Sequence, residues 1–338
     1  MENLLVNKVA AVKEVRQAAE YQKKKQACIL TGLAGSSKPV FFAAADKLLG
    51  GKGSMAFITA SREEIRTYRR ELNYLYPDLP MQELYPVSLP RVQADTQSLE
   101  LQAGRAAALR FLSGEERGIV FITAEALQQK QLRPSGMSGK ALQLAVGEEH
   151  EQRNIAAALL DLGYERTEQV DALGQFCLRG DILDVYPINS SAAVRIEWFD
   201  NELDAMRSFD VDTQRSLQTL TSIKIAPLKV DESFSYDADI FEYCAADTMV
   251  VVDEPVHVFS MLEKLDKENK EHASELFGKQ ELIEQLDANG AVLVSALGHS
   301  YLQQLPSLNI PVRAVAPYNK NTNLLVEDLQ NWLAEGIT

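Results

Sequence analysis

The chain has 338 residues, 46% of them hydrophobic, which allows two or three domains with substantial buried cores. Its 34 basic and 48 acidic residues give a formal charge of −14, which argues against generic polyanion binding by the whole surface. The three cysteines lie far apart without a C-x-x-C pair, and no apolar run approaches the roughly 18 residues of a membrane span, so the composition predicts reduced thiols, no zinc site and a cytoplasmic chain.

The first 137 residues alternate predicted helices with predicted strands. An amphipathic helix is predicted over 8–26 and another over 92–112, whose apolar side, from Leu99 to Leu112, is predicted to face a core. Short apolar runs predict the strands, at 27–31, 55–59, 81–85 and 118–123. Such alternation indicates a parallel sheet covered by helices.

A phosphate-binding loop with two altered positions follows the first predicted strand. Residues 31–39 read T-G-L-A-G-S-S-K-P, where a working P-loop has G-x-x-x-x-G-K-[ST]. Ser37 adds a Cβ where the backbone must approach phosphate, and Pro39 has neither a hydroxyl for magnesium nor an amide hydrogen. Pro39 is expected at the first position of the next helix. We predict a degenerate P-loop made by Gly32, Gly35, Ser36, Ser37, Lys38 and Pro39; an ordinary Gly- and Ser-rich turn stays open as the alternative.

Between about 138 and 229 the pattern is that of a small α+β domain. A helix predicted over 152–162 precedes strand-like runs at 175–178, 182–186, 193–199 and 223–226. From about 230, short buried strands between helices return, at 249–253, 291–296 and 311–315. We therefore predict an α/β domain of the P-loop NTPase type, made by residues 1–137 and 230–338 and split by an inserted domain at 138–229.

The predicted strand at 249–253 ends in Asp253-Glu254, followed by a predicted helix at 255–265. In P-loop enzymes this is the place of the Walker B carboxylates, one for the metal and one for water activation. Acidic residues at the start of a helix explain the same pattern without catalysis, because carboxylates favour its dipole. With the altered loop, we predict a degenerate Walker B pair, no useful Mg-ATP binding or hydrolysis, and no catalytic residue, metal or cofactor in this chain.

Four runs of residues carry a resemblance to a known family. They are G-Y-E-R at 163–166, G-Q-F-C-L-R-G-D-I-L-D-V-Y-P at 174–187, I-E-W-F-D-N-E at 196–202 and F-D-V-D-T-Q-R-S at 209–216. In these runs the chain resembles the amino-terminal, UvrB-like module of the bacterial transcription-repair coupling factors, the Mfd family. UvrB, the excision-repair helicase, is a cousin with the same order of P-loop domain, inserted domain and return strand ending in Asp-Glu.

The resemblance implies that the inserted domain recruits UvrA through a surface shared with UvrB. Arg166 and Arg179 stand where related modules carry arginines, and a planar guanidinium can hold a carboxylate at two points, so they are the candidate contacts. Local pairing of Arg179 with Asp181 or Asp184 is the alternative. The resemblance further implies an RNA polymerase-binding domain, and motor domains that use ATP and Mg to move on double-stranded DNA, beyond Thr338.

Three functions compete on the sequence. The leading one is a non-catalytic module that links stalled RNA polymerase to nucleotide excision repair. The others are an active ATPase and damage-binding protein of the UvrB type, and a regulatory domain that binds a phosphate-bearing metabolite at the altered loop. Residues 85–97 lead almost directly into a predicted helix and leave no room for the DNA-gripping hairpin of UvrB, so we expect weak DNA binding or none.

Overall fold

The computed structural model describes residues 4–33, 35–89, 99–134, 141–228, 236–296, 304–312, 318 and 321–336. The helices are α1 (Leu4–Ala10), α2 (Lys13–Lys23), α3 (Ser37–Leu48), α4 (Arg62–Leu75), α5 (Leu99–Ser113), α6 (Ala124–Gln128), α7 (Gln152–Asp161), α8 (Pro255–Glu268), α9 (Lys279–Ala288) and α10 (Thr322–Ala334). Short 3-10 helices cover Ile240–Tyr243 and Lys270–Glu275. Within these ranges, none of the helices is both long and apolar enough to cross a lipid bilayer.

The strands form one large sheet, one medium sheet and two small pairs. They are β1 (Cys28–Thr31), β2 (Met55–Thr59), β3 (Met81–Leu84), β4 (Ile119–Thr123), β5 (Gln131–Leu132), β6 (Leu142–Ala145), β7 (Glu165–Arg166), β8 (Gln175–Arg179), β9 (Ile182–Val185), β10 (Ala193–Phe199), β11 (Glu202–Phe209), β12 (Ser216–Leu220), β13 (Ser222–Ile225), β14 (Tyr236–Ala238), β15 (Met249–Asp253), β16 (Val292–Ser295) and β17 (Ser307–Asn309). β13 pairs with β6 and β14 with β5.

The large sheet has seven parallel strands in the order β17-β1-β16-β15-β2-β4-β3. β1 to β4 come from the first part of the chain and β15 to β17 from the last, so the two parts build one sheet. β2, β4 and β15 are buried along their whole length, as expected for strands covered by helices on both faces. The predicted α/β fold class, a parallel sheet interrupted in sequence by an α+β region, is confirmed.

Successive residues of β2 point into two different cores. Met55 and Phe57 belong to the cluster under α2, α3 and α4, whereas Ala56 and Ile58 belong to the cluster on the other face. The Phe57 ring is central to the first cluster, with its centroid 4.9 Å from that of Phe42 and 4.5 Å from that of Tyr68. This packing fixes the position of α4 over the sheet.

α4 begins with a capping box in which Ser61 and Glu64 satisfy each other's backbone amides. Its buried side chains, Ile65, Tyr68 and Leu72, follow at spacings of three and four residues, which places them on one side of the helix. Local sequence therefore determines both where α4 starts and which side faces the sheet.

The medium sheet lies within residues 165–220 and has the order β12-β11-β10-β9-β8-β7. Its strands are antiparallel except for β7, which runs parallel to β8 at the edge. One face packs on α7, where Ile155 and Leu159 of the helix meet a core that includes Phe176, Leu183 and Ile196. This arrangement agrees with the predicted small α+β unit.

Two local predictions need correction. The helix predicted over 8–26 is two helices, α1 and α2, because Val12 is extended (φ −66°, ψ 134°) and both short helices turn a side to α3. The last return strand lies at 307–309, where it extends the sheet edge beside β1, and residues 311–312 are not part of a strand. The remainder of that predicted strand lies outside the described residues.

The apolar side predicted for the helix over 92–112 is only partly core. Leu112 is buried, but Leu99 is 40% exposed, and the other buried positions of α5 are Ala108 and Phe111. Residues 92–98 lie outside the described residues, as does most of the segment considered for the UvrB hairpin. The domain boundaries predicted at 137/138 and 229/230 also lie outside the described residues and stay a prediction.

The hydroxyl of Tyr164 joins two loops beneath the medium sheet. It donates a hydrogen bond to the Ala226 carbonyl at 2.9 Å and accepts one from the Ile188 amide at 3.2 Å. Tyr164 is 2% exposed, so both backbone groups lose a partner that water cannot readily replace when the hydroxyl is removed.

We expect Tyr164→Phe to lower the free energy of unfolding by about 1–3 kcal/mol, because two buried backbone groups become unpaired. Urea unfolding followed by Trp198 fluorescence in a Trp332→Phe background would report this sheet alone, since these are the two tryptophans of the chain. Tyr186→Phe is the matched control, because that hydroxyl makes a single long contact of 3.4 Å with Ser191. Equal midpoints for the two variants would contradict the assigned role.

Candidate functional site

The altered P-loop lies between β1 and α3, as predicted, but one of its glycines is explained by packing. Gly32 has φ +86°, and a Cβ there would lie 2.7 Å from the Ile310 carbonyl oxygen and 2.8 Å from Oδ1 of Asn309. The chain after β17 therefore approaches the loop too closely for any other residue. Ala34 of the motif lies outside the described residues.

α3 begins at Ser37, which makes Lys38 its second residue and Pro39 its third. The prediction that Pro39 is the first helical residue is therefore wrong by two positions. Proline is still tolerated, because amides of the first helical turn have no partner within the helix. Starting the helix earlier turns Lys38 inward, and the lysine side chain is 8% exposed.

The ammonium group of Lys38 bridges the two predicted Walker B carboxylates. Its Nζ lies 2.7 Å from Oδ1 of Asp253 and 2.7 Å from Oε1 of Glu254. The Asp253 side chain is 6% exposed and that of Glu254 21%. The structure thus brings together a P-loop residue and two residues that follow it by more than 200 positions. The two motifs were predicted separately, and their direct contact was not.

The two carboxylates have further hydrogen-bond partners. Tyr68 donates its hydroxyl to Oδ2 of Asp253 at 2.7 Å, and the amide of Ala296 donates to Oε1 of Glu254 at 3.0 Å. The hydroxyl of Ser295 lies 3.3 Å from the other Glu254 oxygen. Tyr68 and Ser295 were not singled out from the sequence. The buried spacing within α4 offered a signal for Tyr68, but no motif pointed to its hydroxyl.

The charges in this cluster support one another. Burial alone would lower the pKa of Lys38, but Asp253 and Glu254 outweigh it and raise the pKa above its usual value. Burial would raise the pKa of Glu254, and the hydrogen bonds and charge of Lys38 instead hold it below its usual value. Burial and the adjacent Asp253 raise the pKa of Tyr68, which keeps its hydroxyl protonated as a donor.

Glu254 adopts a backbone conformation that is unusual for its residue type. Its φ is 41° and ψ 68°, in the left-handed region, and its amide donates to the Val294 carbonyl at 2.8 Å. A non-glycine residue in this region costs about 1–2 kcal/mol, so surrounding contacts must hold it there. The contacts with Lys38, Ser295 and Ala296 do so.

This arrangement joins elements of the fold that are distant in sequence. The lysine ammonium lies between the carboxylates that would hold or orient a metal and its water, and Pro39 offers no hydroxyl ligand. Ser37 and Pro39 depart from the glycine and the hydroxyl residue with which a P-loop enzyme holds Mg-nucleotide. Within the described ranges, no group of three His, Cys, Asp or Glu side chains could hold a metal ion.

The two candidate partner-binding arginines lie on neighbouring strands but on opposite faces of the medium sheet. Arg166 is exposed in the edge strand β7 and shares its face with its register partner Phe176. Arg179 ends β8 three residues beyond Phe176, about 10 Å along the strand, and therefore points to the other face. A partner that contacts both arginines must bind around the β7 edge.

Arg179 makes the local pair that the sequence left open, with Asp184. Its Nη2 lies 2.9 Å from Oδ2 of Asp184, while half of the Arg179 side chain (52%) stays exposed. Asp184 also accepts two hydrogen bonds from Arg195, a residue that sequence reasoning missed. The sequence signal that could have indicated Arg195 is the alternation of charged and apolar residues along β9 and β10.

Comparison with known proteins is consistent with this architecture. Residues 142–230 match the family described as the UvrB interaction domain. The chain is 36% identical over 203 residues to a transcription-repair-coupling factor of Bacillus subtilis (strain 168), covering 60% of this chain and 17% of that protein. It is 28% identical over 165 residues to the factor of Escherichia coli (strain K12), covering 49% and 14%. The chain thus matches a small part of each relative's length.

Among solved structures, a truncated XPD aligns with 89% of this chain and 99% of its own, at 9% identity and a TM-score of 0.35. The chain therefore resembles the UvrB-like module of transcription-repair-coupling factors, and its residues 142–230 match the UvrB interaction domain.

Proposed function

We propose that this chain is a non-catalytic interaction module that recruits UvrA in transcription-coupled nucleotide excision repair. The observation that carries the proposal is the match of residues 142–230 to the UvrB interaction domain. The medium sheet and its exposed arginines lie within that range. UvrB and coupling factors would then present similar surfaces to the same repair protein, which would bring it to the site of a stalled RNA polymerase.

The geometry gives the medium sheet two means of contact. Arg179 presents a half-exposed guanidinium, and among the described residues it donates one side-chain hydrogen bond, to Asp184. Arg166 extends the contact around the β7 edge. Guanidinium groups bind carboxylates in two-point contacts, so the complementary surface of UvrA should be acidic where it meets these residues.

Engagement of RNA polymerase and movement on double-stranded DNA are assigned, in this proposal, to other parts of a longer coupling factor, together with ATP and Mg. The charge of −14 supports weak DNA binding by this chain, or none. Transcription-coupled repair would act in the bacterial cytoplasm. The Lys38 contacts speak against the two alternatives, because a UvrB-type ATPase and a phosphate-binding regulator both need that lysine to face a ligand.

We expect the wild-type chain to bind UvrA and the variants Arg166→Ala and Arg179→Ala each to lose about 1–3 kcal/mol, roughly fivefold to more than a hundredfold in affinity. Titration of purified UvrA measures this, with folding checked by circular dichroism. Arg153→Ala is the control, since that arginine is 83% exposed on α7 and pairs with nearby Glu151. Equal binding by all four proteins would remove both residues from the interface, and no binding by the wild type would refute recruitment.

We expect no binding of Mg-ATP in calorimetry at ligand concentrations up to about 1 mM, because Lys38 is committed to the carboxylates and Pro39 cannot ligate metal. No ATP turnover is expected either. Micromolar binding of Mg-ATP, or turnover that Asp253→Ala abolishes, would overturn the non-catalytic part of the proposal.

We expect Lys38→Met to lower the free energy of unfolding by about 3–5 kcal/mol at pH 7, because it leaves two buried carboxylates without their cation. Glu254, with its lowered pKa, stabilises the fold above about pH 4.3, and Lys38, with its raised pKa, does so below about pH 10.4. The difference between variant and wild type should therefore be full at neutral pH and shrink as the pH falls below 4. Exposed Lys52→Met is the control, and a pH-independent difference would contradict the ion pair.

A further inference from the structure

Asp184 is a buried carboxylate at the centre of the medium sheet, on the face away from α7. Its side chain is 2% exposed, and it accepts hydrogen bonds from Nε and Nη2 of Arg195 at 2.6 and 2.8 Å. It accepts a third from Nη2 of Arg179 at 2.9 Å. One inaccessible anion therefore holds two arginines from the strands on either side of it.

Strand register explains why these groups meet. Asp184 on β9 lies directly opposite Arg195 on β10, and Arg179 is reached diagonally from the end of β8. The next positively charged residue across the sheet is Arg207, opposite Arg195, and it pairs with Glu197 on the same face. The cluster around Asp184 thus contains three arginines, Arg179, Arg195 and Arg207, and two carboxylates, Asp184 and Glu197.

The two arginines held by Asp184 differ in their contacts and in their exposure to solvent. The guanidinium of Arg195 binds Asp184 at two points, donates to Oε1 of Gln214 at 3.0 Å and lies 4.7 Å from the Phe209 ring centroid. Its side chain is 17% exposed, against 52% for Arg179. Arg195 therefore serves as the fixed part of the cluster, and Arg179 as the part that a partner can reach.

We infer that Asp184 is a positioning residue for partner binding, which holds Arg179 beside Arg195 so that their outward edges accept a carboxylate of an acidic protein surface. The inference rests on the proposed function and names the chemistry that UvrA should offer there. Asp184 itself is too buried to touch the partner. Two guanidinium groups repel each other at this range without an anion between them, so removing the charge of Asp184 releases the more exposed one.

Two simpler explanations make opposite predictions. If Asp184 only holds β8, β9 and β10 together, its loss weakens binding whether or not Arg179 is present. If the face attracts UvrA only by its net charge, neutralising Asp184 adds a positive charge and strengthens binding to an acidic surface. Positioning predicts weaker binding, and only while Arg179 is present.

The experiment is a double-mutant cycle on the whole chain, with purified UvrA as the titrant. Asp184→Asn keeps the shape of the side chain and removes its charge. The cycle compares the wild type, Asp184→Asn, Arg179→Ala and the double variant. We expect about a tenfold loss from Asp184→Asn in the wild-type background and less than a twofold loss in the Arg179→Ala background. Glu197→Gln, which removes the charge of the other carboxylate in the cluster, should change affinity less than twofold.

Additive losses, or tighter binding by Asp184→Asn, would overturn positioning while leaving recruitment intact. Absence of binding by the wild type would overturn recruitment and positioning together. If circular dichroism shows that Asp184→Asn does not fold, Arg195→Lys replaces it in the cycle, because lysine keeps the charge and loses the two-point contact with Asp184. That variant should lose at least threefold in affinity with Arg179 present and less than twofold without it, and equal losses would overturn the inference.

Discussion

The contact of Lys38 with Asp253 and Glu254 joins the two halves of the split α/β domain. The lysine comes from the first helix after β1, and the carboxylates end a strand 215 and 216 residues later, in the middle of the same sheet. Buried charges are stable only when they are paired and hydrogen-bonded, so this cluster specifies how the last third of the chain docks onto the first. Tyr68 and the amide of Ala296 complete the pairing from two further elements.

The same cluster lies where a P-loop enzyme holds its nucleotide and metal. In a working site a divalent cation neutralises the acidic strand end, and here an internal ammonium does so. Ser37 and Pro39 then do not have to contact a ligand. Pro39 only has to fit into the first turn of α3. The left-handed backbone of Glu254 remains because three contacts hold its side chain.

The two faces of the medium sheet differ, because one packs on α7 and the other carries charged side chains. Packing against α7 uses the residues that alternate toward Phe176 and Leu183, and this side supplies stability. The opposite side carries the paired charges around Asp184, a network in which most of the ionic groups satisfy one another. In the proposed function, this second face presents Arg179 to the partner, with the buried Asp184 holding the arginine in place. A binding surface organised in this way depends on strand register more than on the identity of any single arginine.

The sequence by itself determined the strands at 55–59, 118–123 and 249–253, because continuous apolar runs between turns have few other buried conformations. It also determined that the loop before α3 departs from the P-loop motif, since the identities of Ser37 and Pro39 are read directly from the sequence. Short, polar strands such as β7 and β12 escaped prediction, because they are held by their neighbours and not by their own apolar content.

Only the tertiary structure decided which groups meet. The bridging of Asp253 and Glu254 by Lys38 depends on strand order, and the opposite faces of Arg166 and Arg179 depend on a one-residue parity in register. Both follow from the packing of segments distant in sequence, where a shift of one residue turns a side chain to the other face of a sheet. Local sequence patterns carry no information about such a shift. The packing of the folded core fixes the register.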